Sequence, residues 1–197
     1  MSSRKVKIHK FDHGYINKRK RQLLLTTLLI ILCGAAVFVL GLLLNKMETG
    51  NIFTIVAVLF SLPMARYLTV FIVMFPYSSP SKEDYNKVCE KVGDRGLVLS
   101  DLVFTSKETP MHVDFAVLTG GHAYLYAKEP KNTKEKDRLS KVEKYLNEHF
   151  NAETFDVKAK LFTDMQTFLN VLNLKEISEE EMEILKKERE SMEYFIV

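Results

Sequence analysis

The side chains that could do chemistry in this chain lie around one predicted β-hairpin, residues 111–131. Asp114 stands in the first strand, and Glu129 and Lys131 follow the second strand. Two carboxylates on one side of a sheet could hold a Mg²⁺ ion that activates water, and a nearby lysine could stabilise the charge that develops on a phosphate. The candidate catalytic residues are therefore Asp114, Glu129 and Lys131, and the candidate metal ligands are Asp114 and Glu129.

The register of the hairpin decides whether these side chains converge. Glycines 120–121 supply the positive φ angles of a two-residue turn, which places Asp114 opposite Ala127. An alanine cannot bind a metal, so only a pairing shifted to Glu129 brings two carboxylates together. Pro130 opposes this shift because proline cannot donate to the strand ladder. The competing interpretation makes Asp114 a partly buried, hydrogen-bonded residue and the segment after the hairpin a solvated turn.

Two histidines accompany the hairpin. Strict alternation assigns His112 to the same face as Asp114 and Ala116, and His122 begins the second strand. No third candidate ligand follows at close spacing, so the histidines do not predict a metal site. The sequence also lacks a glycine-rich phosphate loop, a Gly-x-Ser-x-Gly motif and a Cys-x-x-Cys motif.

The hairpin belongs to a predicted domain over residues 82–197. Periodicity and turn residues predict the order α-β-β-β-α-β-α-α, which is a mixed α+β fold. Ser81 with Asp84 predicts the start of the first helix, and Gly93 predicts its end. The other predicted elements are strands at 97–104, 111–118, 122–129 and 154–162, and helices that start at Thr133, Thr163 and Ser178.

The α-β-β-β-α-β order, with an acid in the second strand, resembles the core of the PD-(D/E)xK nuclease-like superfamily. The phrase "HVDFAVLTGGHAYLYAK" looks like the hairpin of NERD-type domains, in which an Asp opens one strand and a Glu-x-Lys closes the next. The resemblance covers about residues 82–162. The family's Glu would fall at or near Tyr126 or Ala127, and neither side chain binds a metal. The resemblance therefore implies nuclease-like architecture without the catalytic metal.

Two apolar runs precede the domain. Residues 23–44 contain no charged side chain, and residues 52–75 are interrupted only by Pro63 and Arg66. At about 1.5 Å per residue, each run can span the roughly 30 Å of a bilayer core. The first run is too long for a signal peptide and precedes no small-x-small cleavage site. We therefore expect a transmembrane hairpin over residues 23–76 and a linker over 77–81.

Charge predicts the orientation of this hairpin. Residues 1–22 carry eight Lys or Arg side chains against Asp12, whereas the connector 45–51 carries only Lys46 and Glu48. The positive-inside rule therefore predicts cytoplasmic N- and C-termini in a multi-pass protein of the plasma membrane. Residues 82–197 contain 18 basic and 23 acidic residues, a balance that disfavours a nucleic-acid partner.

Basic residues at the membrane are the second group of candidate contacts. We expect residues 18–21 (Lys18, Arg19, Lys20 and Arg21) to face anionic headgroups. Arg66 lies within the second apolar run, where it either snorkels to the headgroups as an anchor or pairs with a carboxylate or lipid phosphate on another molecule. The small residues 33–36 and Gly41 suit close packing against the second helix or a partner.

The sequence favours a binding protein over an enzyme. It indicates a membrane-anchored scaffold that displays a catalytically silent, nuclease-like α/β domain and needs no cofactor. The expected partners are an anionic membrane and either another protein or a second copy of the chain, in a membrane-associated complex. The alternative is a membrane-tethered, Mg-dependent nuclease or phosphodiesterase.

Overall fold

The computed structural model describes residues 10–105, 110–129, 133–152, 157–172, 175–194 and 196. The described residues form two compact units. Residues 16–76 make the first unit, which we call the helical unit, and the described residues of 10–15 and 77–196 make the second, which we call the domain.

Two long apolar helices make up the helical unit. Helix α1 covers Tyr15–Leu44, and the second helix is divided into α2 (Ile52–Leu59) and α3 (Ser61–Met74). Both are long and apolar enough to cross a membrane by length and composition. The division falls at Phe60, because Pro63 has no N–H for the carbonyl four residues before it. Helix α1 starts before the predicted apolar span, so the basic residues 18–21 are helical as well.

Glycines allow the two apolar helices to approach each other. A Cβ atom on Gly34 would lie 3.2 Å from the Cβ of Phe60, and one on Gly41 would lie 2.5 Å from the Cβ of Phe53. The two glycines are seven residues apart, and so are the two phenylalanines, which puts each pair on one face of its helix. The small-residue patch of the first helix therefore packs against the second helix.

Within the described residues, the domain contains four strands and four helices. Four strands form one sheet in the order β1-β2-β3-β4, in which β1, β2 and β3 are antiparallel and β4 runs parallel to β3. The predicted mixed α+β class is thereby confirmed. The elements after the helical unit are α4 (Lys82–Val92), β1 (Leu97–Thr105), β2 (Pro110–Thr119), β3 (His122–Tyr126), α5 (Thr133–Ala152), β4 (Lys158–Phe162), α6 (Met165–Val171) and α7 (Glu179–Glu193).

Helices cover both faces of the sheet. Helices α5 and α7 pack on one face, where they form an apolar cluster with β1, β2, β3 and β4. Helices α4 and α6 pack on the other face, in a smaller cluster that includes the aromatic side chains of β2 and β3. Members of the first cluster include Val142, Leu146, Leu185 and Leu125, and members of the second include Val88, Phe168, Phe115 and Val117.

Several helix ends follow their sequence signals. The Ser81 side chain accepts a hydrogen bond from the N–H of Asp84, and α4 ends at Gly93, whose φ is 54°. Helix α7 begins with the capping box of Ser178 and its N3 glutamate. The predicted start of α6 at Thr163 is wrong, because the Asp164 carboxylate caps that helix. A carboxylate accepts the free N–H groups more strongly than a hydroxyl does and also complements the helix dipole.

Strands β1 and β2 change their buried face in the middle. Leu99 and Leu102 belong to the same core cluster although they are three residues apart, and so do Val113 and Ala116. The change occurs at Asp101, whose φ of 59° lies in the left-handed region. A left-handed residue rotates the following part of the strand. Side chains therefore alternate on each side of Asp101, but the alternation is broken across it.

This change of face overturns the predicted position of His112. We expected His112 to share the face of Ala116, but His112 lies before the change and outside the cluster that contains Ala116. Its ring instead stacks on Tyr77, with centroids 5.0 Å apart and planes inclined by 13°. The sequence prediction assumed a regular pleat, which the left-handed residue in β1 interrupts.

Candidate functional site

The predicted register of the hairpin is confirmed. Thr119 pairs with His122 and Phe115 pairs with Tyr126, which is the pairing that a two-residue glycine turn imposes. The β2–β3 pairing stops there, one position before Asp114. Asp114 therefore lies just beyond the last pair of the β2–β3 ladder, beside residues 127–129, which follow β3.

Asp114 holds the end of β3. Its Oδ2 accepts a hydrogen bond from the backbone N–H of Lys128 at 2.7 Å, and the residue is only 8% exposed. The carboxylate thus takes the place of the backbone carbonyl that would continue the ladder. Because the acceptor is a charged carboxylate, this partly buried bond is a strong one and stabilises the chain where it leaves the sheet.

Of the other two candidate catalytic residues, the structure describes only Glu129, which lies beyond the end of β3. Glu129 is exposed and lies three residues beyond Tyr126, the last residue of β3. Lys131 and Pro130 lie outside the described residues. Among the residues that the structure describes, no three His, Cys, Asp or Glu side chains are grouped so that they could hold a metal ion. The magnesium site at Asp114 and Glu129 stays a prediction.

Negative charge surrounds the half-buried phenol of Tyr126. Burial raises the pKa of Tyr126, and the charges of Asp114, Asp84 and Asp164 raise it further. These acids come from β2, from the first turn of α4 and from the cap of α6, so three elements direct carboxylates toward one region of the domain. Such a potential repels phosphate groups and attracts cations.

Sequence reasoning missed Asp101, a buried acid of β1. It is 1% exposed, and its Oδ2 accepts hydrogen bonds from the N–H groups of Gly14 and of Tyr15, the latter at 3.0 Å. Burial raises the pKa of Asp101, while hydrogen bonds from Ser79, Gly14 and Tyr15 and the nearby His13 act in the opposite direction. The only signal in the sequence was an acid inside an apolar strand, and the two backbone N–H groups that it accepts lie 86 and 87 residues away.

Asp101 is one of several contacts that bind residues 10–15 into the domain. The carbonyl of Phe11 accepts a hydrogen bond from the N–H of Ser100 at 3.0 Å, and the Phe11 side chain is buried. Lys10 Nζ donates to the carbonyls of Glu193 and Ile196, at 3.0 and 2.8 Å. A stretch that the sequence assigned to a basic arm is therefore part of the packed domain.

Glu188 is a second buried acid that sequence reasoning missed. It lies on the inner face of α7, three residues after Leu185 and four before Met192, and is 3% exposed. Burial raises the pKa of Glu188 to about 7. The signal in the sequence was its spacing, because Glu188 occupies a position of the apolar stripe.

The basic residues at the start of α1 have different surroundings. Lys18 and Arg21 are exposed, whereas Lys20 is half-buried and donates from Nζ to the carbonyl of Phe75 at 2.8 Å. Lys20 thereby satisfies a carbonyl at the end of α3, a position where cations are favourable. Arg66 is exposed on α3.

No family model matches the chain, and no curated protein or solved structure is significantly similar to it.

Proposed function

We propose that this protein is a membrane-anchored scaffold whose catalytically silent, nuclease-like domain binds a partner protein in the cytoplasm. The observation that carries the proposal is the bond between Asp114 Oδ2 and the N–H of Lys128. Asp114 is the one candidate metal ligand that lies in a strand of the sheet, and this bond gives its carboxylate a role in the fold. A nuclease would need a carboxylate oxygen of Asp114 at the metal, and Oδ2 already accepts this bond.

The exposed apolar surface of both long helices supports membrane anchoring. Leu29 and Leu43 of α1 are 61% and 66% exposed, and Ile55 and Leu62 of the second helix are 64% and 69% exposed. Contiguous apolar surface of this extent is unfavourable in water and favourable in lipid. We infer that α1 and the α2–α3 pair each cross the bilayer once.

The contacts of residues 10–15 support an even number of crossings. These residues pack into the domain that also contains residues 77–194, so the chain enters and leaves the membrane on one side. The basic residues 18–21 favour the cytoplasm as that side. We further infer that Lys18, Arg19 and Arg21 contact anionic headgroups, while Lys20 closes the end of α3.

The order of the elements supports the nuclease-like architecture. Elements α4 to β4 follow one another as α-β-β-β-α-β, and their strands form one mixed sheet. The acidic region around Tyr126 fits this architecture poorly as a surface for a phosphate backbone. A protein partner or a second copy is the better occupant of the domain.

Helix α7 offers a surface for that partner. Its first turn carries three glutamates, residues 179–181, and farther along it Ile184 and Tyr194 are 49% and 89% exposed. Exposed apolar and aromatic side chains beside charged ones are typical of protein interfaces.

A cleavage assay with the full-length protein in detergent tests the proposal. We expect no Mg²⁺- or Mn²⁺-dependent cleavage of DNA or RNA above that of the Asp114→Ala variant or of the matched Asp94→Ala variant, which changes an exposed acid. In native membranes, chemical cross-linking should join the wild-type chain to a protein in a defined ratio. Metal-dependent cleavage that is lost in Asp114→Ala alone would instead establish the nuclease, with Asp114, Glu129 and Lys131 at its centre.

A labelling experiment tests the orientation. A cysteine at Met47, in the connector between α1 and α2, should react with a membrane-impermeant maleimide on intact cells when Cys33 and Cys89 are replaced by serine. A cysteine at Glu176 of the domain should react only after the cells are opened. The reverse pattern, or equal reaction at both positions, would contradict the proposed topology.

A further inference from the structure

Arg66 is a lone cation on the apolar surface of α3. Its side chain is exposed, whereas Phe60 and Met64, which precede it, are partly buried within the helical unit. One turn farther on the same face, the Thr69 hydroxyl donates to the carbonyl of Ala65 at 2.8 Å. Arg66 is therefore the polar group that this face can offer to another molecule.

The helical unit contains no acid that can pair with Arg66. Among residues 16–76, all of which the structure describes, Glu48 is the one acidic residue, and it lies in the connector before α2. Arg66 is fourteen residues beyond Ile52, or about 21 Å along the helix axis. A guanidinium group keeps its charge in proteins, so it needs a partner from elsewhere.

The position of Arg66 along α3 disfavours a contact between its guanidinium group and a lipid phosphate. Arg66 lies eight residues before Met74, about 12 Å from the nearer end of the helix. The contact between Lys20 Nζ and the carbonyl of Phe75 places the basic cluster of α1 at that end, at the level of the headgroups. In addition, the Cα–Cβ bonds of a helix tilt toward its N-terminus, so the Arg66 side chain starts in the direction away from the nearer headgroups.

A second copy of the chain does not supply the missing charge either. Its helical unit brings another Arg66 and another Glu48, and the latter lies at the wrong level of the membrane. Two chains related by symmetry along this face would place like charges near each other. The complementary group must therefore belong to a different protein.

We propose that Arg66 is the docking point for a transmembrane helix of another protein, and that this helix carries an Asp or Glu within its apolar segment. The inference rests on the proposed function, because it requires α3 to lie in the bilayer. In a medium without water, a guanidinium and a carboxylate form charge-assisted hydrogen bonds that neither group can replace. The pair fixes both the depth and the rotation of the partner helix against α3.

Reconstitution with a designed probe tests the inference. The full-length protein, labelled on its domain with a fluorescence donor, is incorporated into phosphatidylcholine vesicles. The probe is a polyleucine transmembrane peptide that carries an acceptor and has one Glu at the depth of Arg66, and the control peptide has Gln there. We expect the Glu peptide to associate about fivefold to thirtyfold more tightly, the range that interhelical hydrogen bonds reach in model peptides.

Variants of the full-length chain complete the test. Arg66→Leu should bind both peptides equally weakly, Arg66→Lys should retain part of the preference for Glu, and the same-face variant Thr69→Val should behave as wild type. Equal binding of Glu and Gln peptides to the wild type would overturn the inference. So would a preference for Glu that persists in Arg66→Leu, or one that disappears when phosphatidylserine is added.

The labelling of residue 47 separates the two possible failures. Suppose that residue 47 is accessible only from the side of the vesicle membrane opposite the domain, and that the Glu peptide is not preferred. The proposed role of Arg66 is then wrong, and the proposed membrane anchor stands. When residue 47 is not on the far side, α3 does not cross the bilayer, and both the proposed function and this inference fail.

Discussion

Replacement of the buried carboxyl of Glu188 by the uncharged amide of glutamine should stabilise the domain at high pH and leave it unchanged at low pH. Burial raises the pKa of this carboxyl to about 7 in the folded protein, from an ordinary value of 4.5. At a pH between these two pKa values, Glu188 has lost its proton in the unfolded chain but still holds it in the folded chain. Stability therefore falls as the pH rises from about 4.5 to 7, and it stays low above that range.

The size of the effect follows from the difference between the two pKa values. One pKa unit corresponds to about 1.4 kcal/mol, so the penalty for the ionised Glu188 is about 3 kcal/mol at pH 8. Wild type and Glu188→Gln should therefore be equally stable near pH 4.5, and the variant should be more stable by about 3 kcal/mol at pH 8. Glu190→Gln, which alters an exposed acid on the same helix, should show no such trend.

Hydrogen exchange of the full-length protein in detergent, followed by mass spectrometry, measures this difference. Peptides from α7 are compared between wild type and variant at each pH, so that the intrinsic pH dependence of exchange cancels. A difference between wild type and Glu188→Gln that is constant from pH 5 to 8 would refute the reasoning. It would mean that the substitution acts through packing and that the proton on Glu188 does not matter.

Three further substitutions test contacts that lie within the helical unit or within the domain. Gly41→Leu places a side chain where a Cβ would already lie 2.5 Å from the Cβ of Phe53, so it should separate the helices and lower the detergent melting temperature. Asn147→Ala removes both hydrogen bonds to Ala159 at the outer edge of β4, at 2.7 and 3.2 Å, and should cost about 1–3 kcal/mol in urea unfolding. Asp101→Ala leaves two backbone N–H groups without their acceptor and should speed tryptic cleavage within residues 10–21.

Each of these substitutions has a matched control in the chain. A Cβ on Gly50 would meet nothing within 4 Å, so Gly50→Leu should leave the melting temperature unchanged. Asn170→Ala and Asp94→Ala alter exposed side chains and should leave urea unfolding and tryptic cleavage unchanged. A control that behaves like its test variant would show that the effect does not come from the named contact.

Local patterns in the sequence were sufficient for the class of the fold and for the hairpin. Paired glycines between two alternating stretches determine a register, and a serine followed three residues later by an acid determines a helix start, because each depends on neighbouring residues alone. The left-handed conformation of Asp101 could not be predicted in this way. Nothing near it in sequence requires a positive φ, and the N–H groups that its carboxylate accepts belong to Gly14 and Tyr15, far away in the sequence.

The role of Asp114 shows the same limit at the candidate site. Its position opposite Ala127 followed from the turn, but the use of its carboxylate depends on where β3 ends. The sequence predicted a strand to residue 129, whereas β3 ends at Tyr126. The shorter strand leaves the N–H of Lys128 without a ladder partner, and Asp114 accepts it.

Asp101 and Asp114 occupy opposed positions in β1 and β2, between the pairs Ser100–Phe115 and Leu102–Val113. Both stand where regular pairing is interrupted, and the carboxylate of each accepts backbone N–H groups that the sheet does not satisfy. Loss of the Asp101 carboxylate would leave the N–H of Tyr15 without its acceptor in a buried place, at a cost of about 1–3 kcal/mol. Two acids within the apolar strands of this sheet thus have a structural role, because each accepts backbone N–H groups where the regular pairing is interrupted.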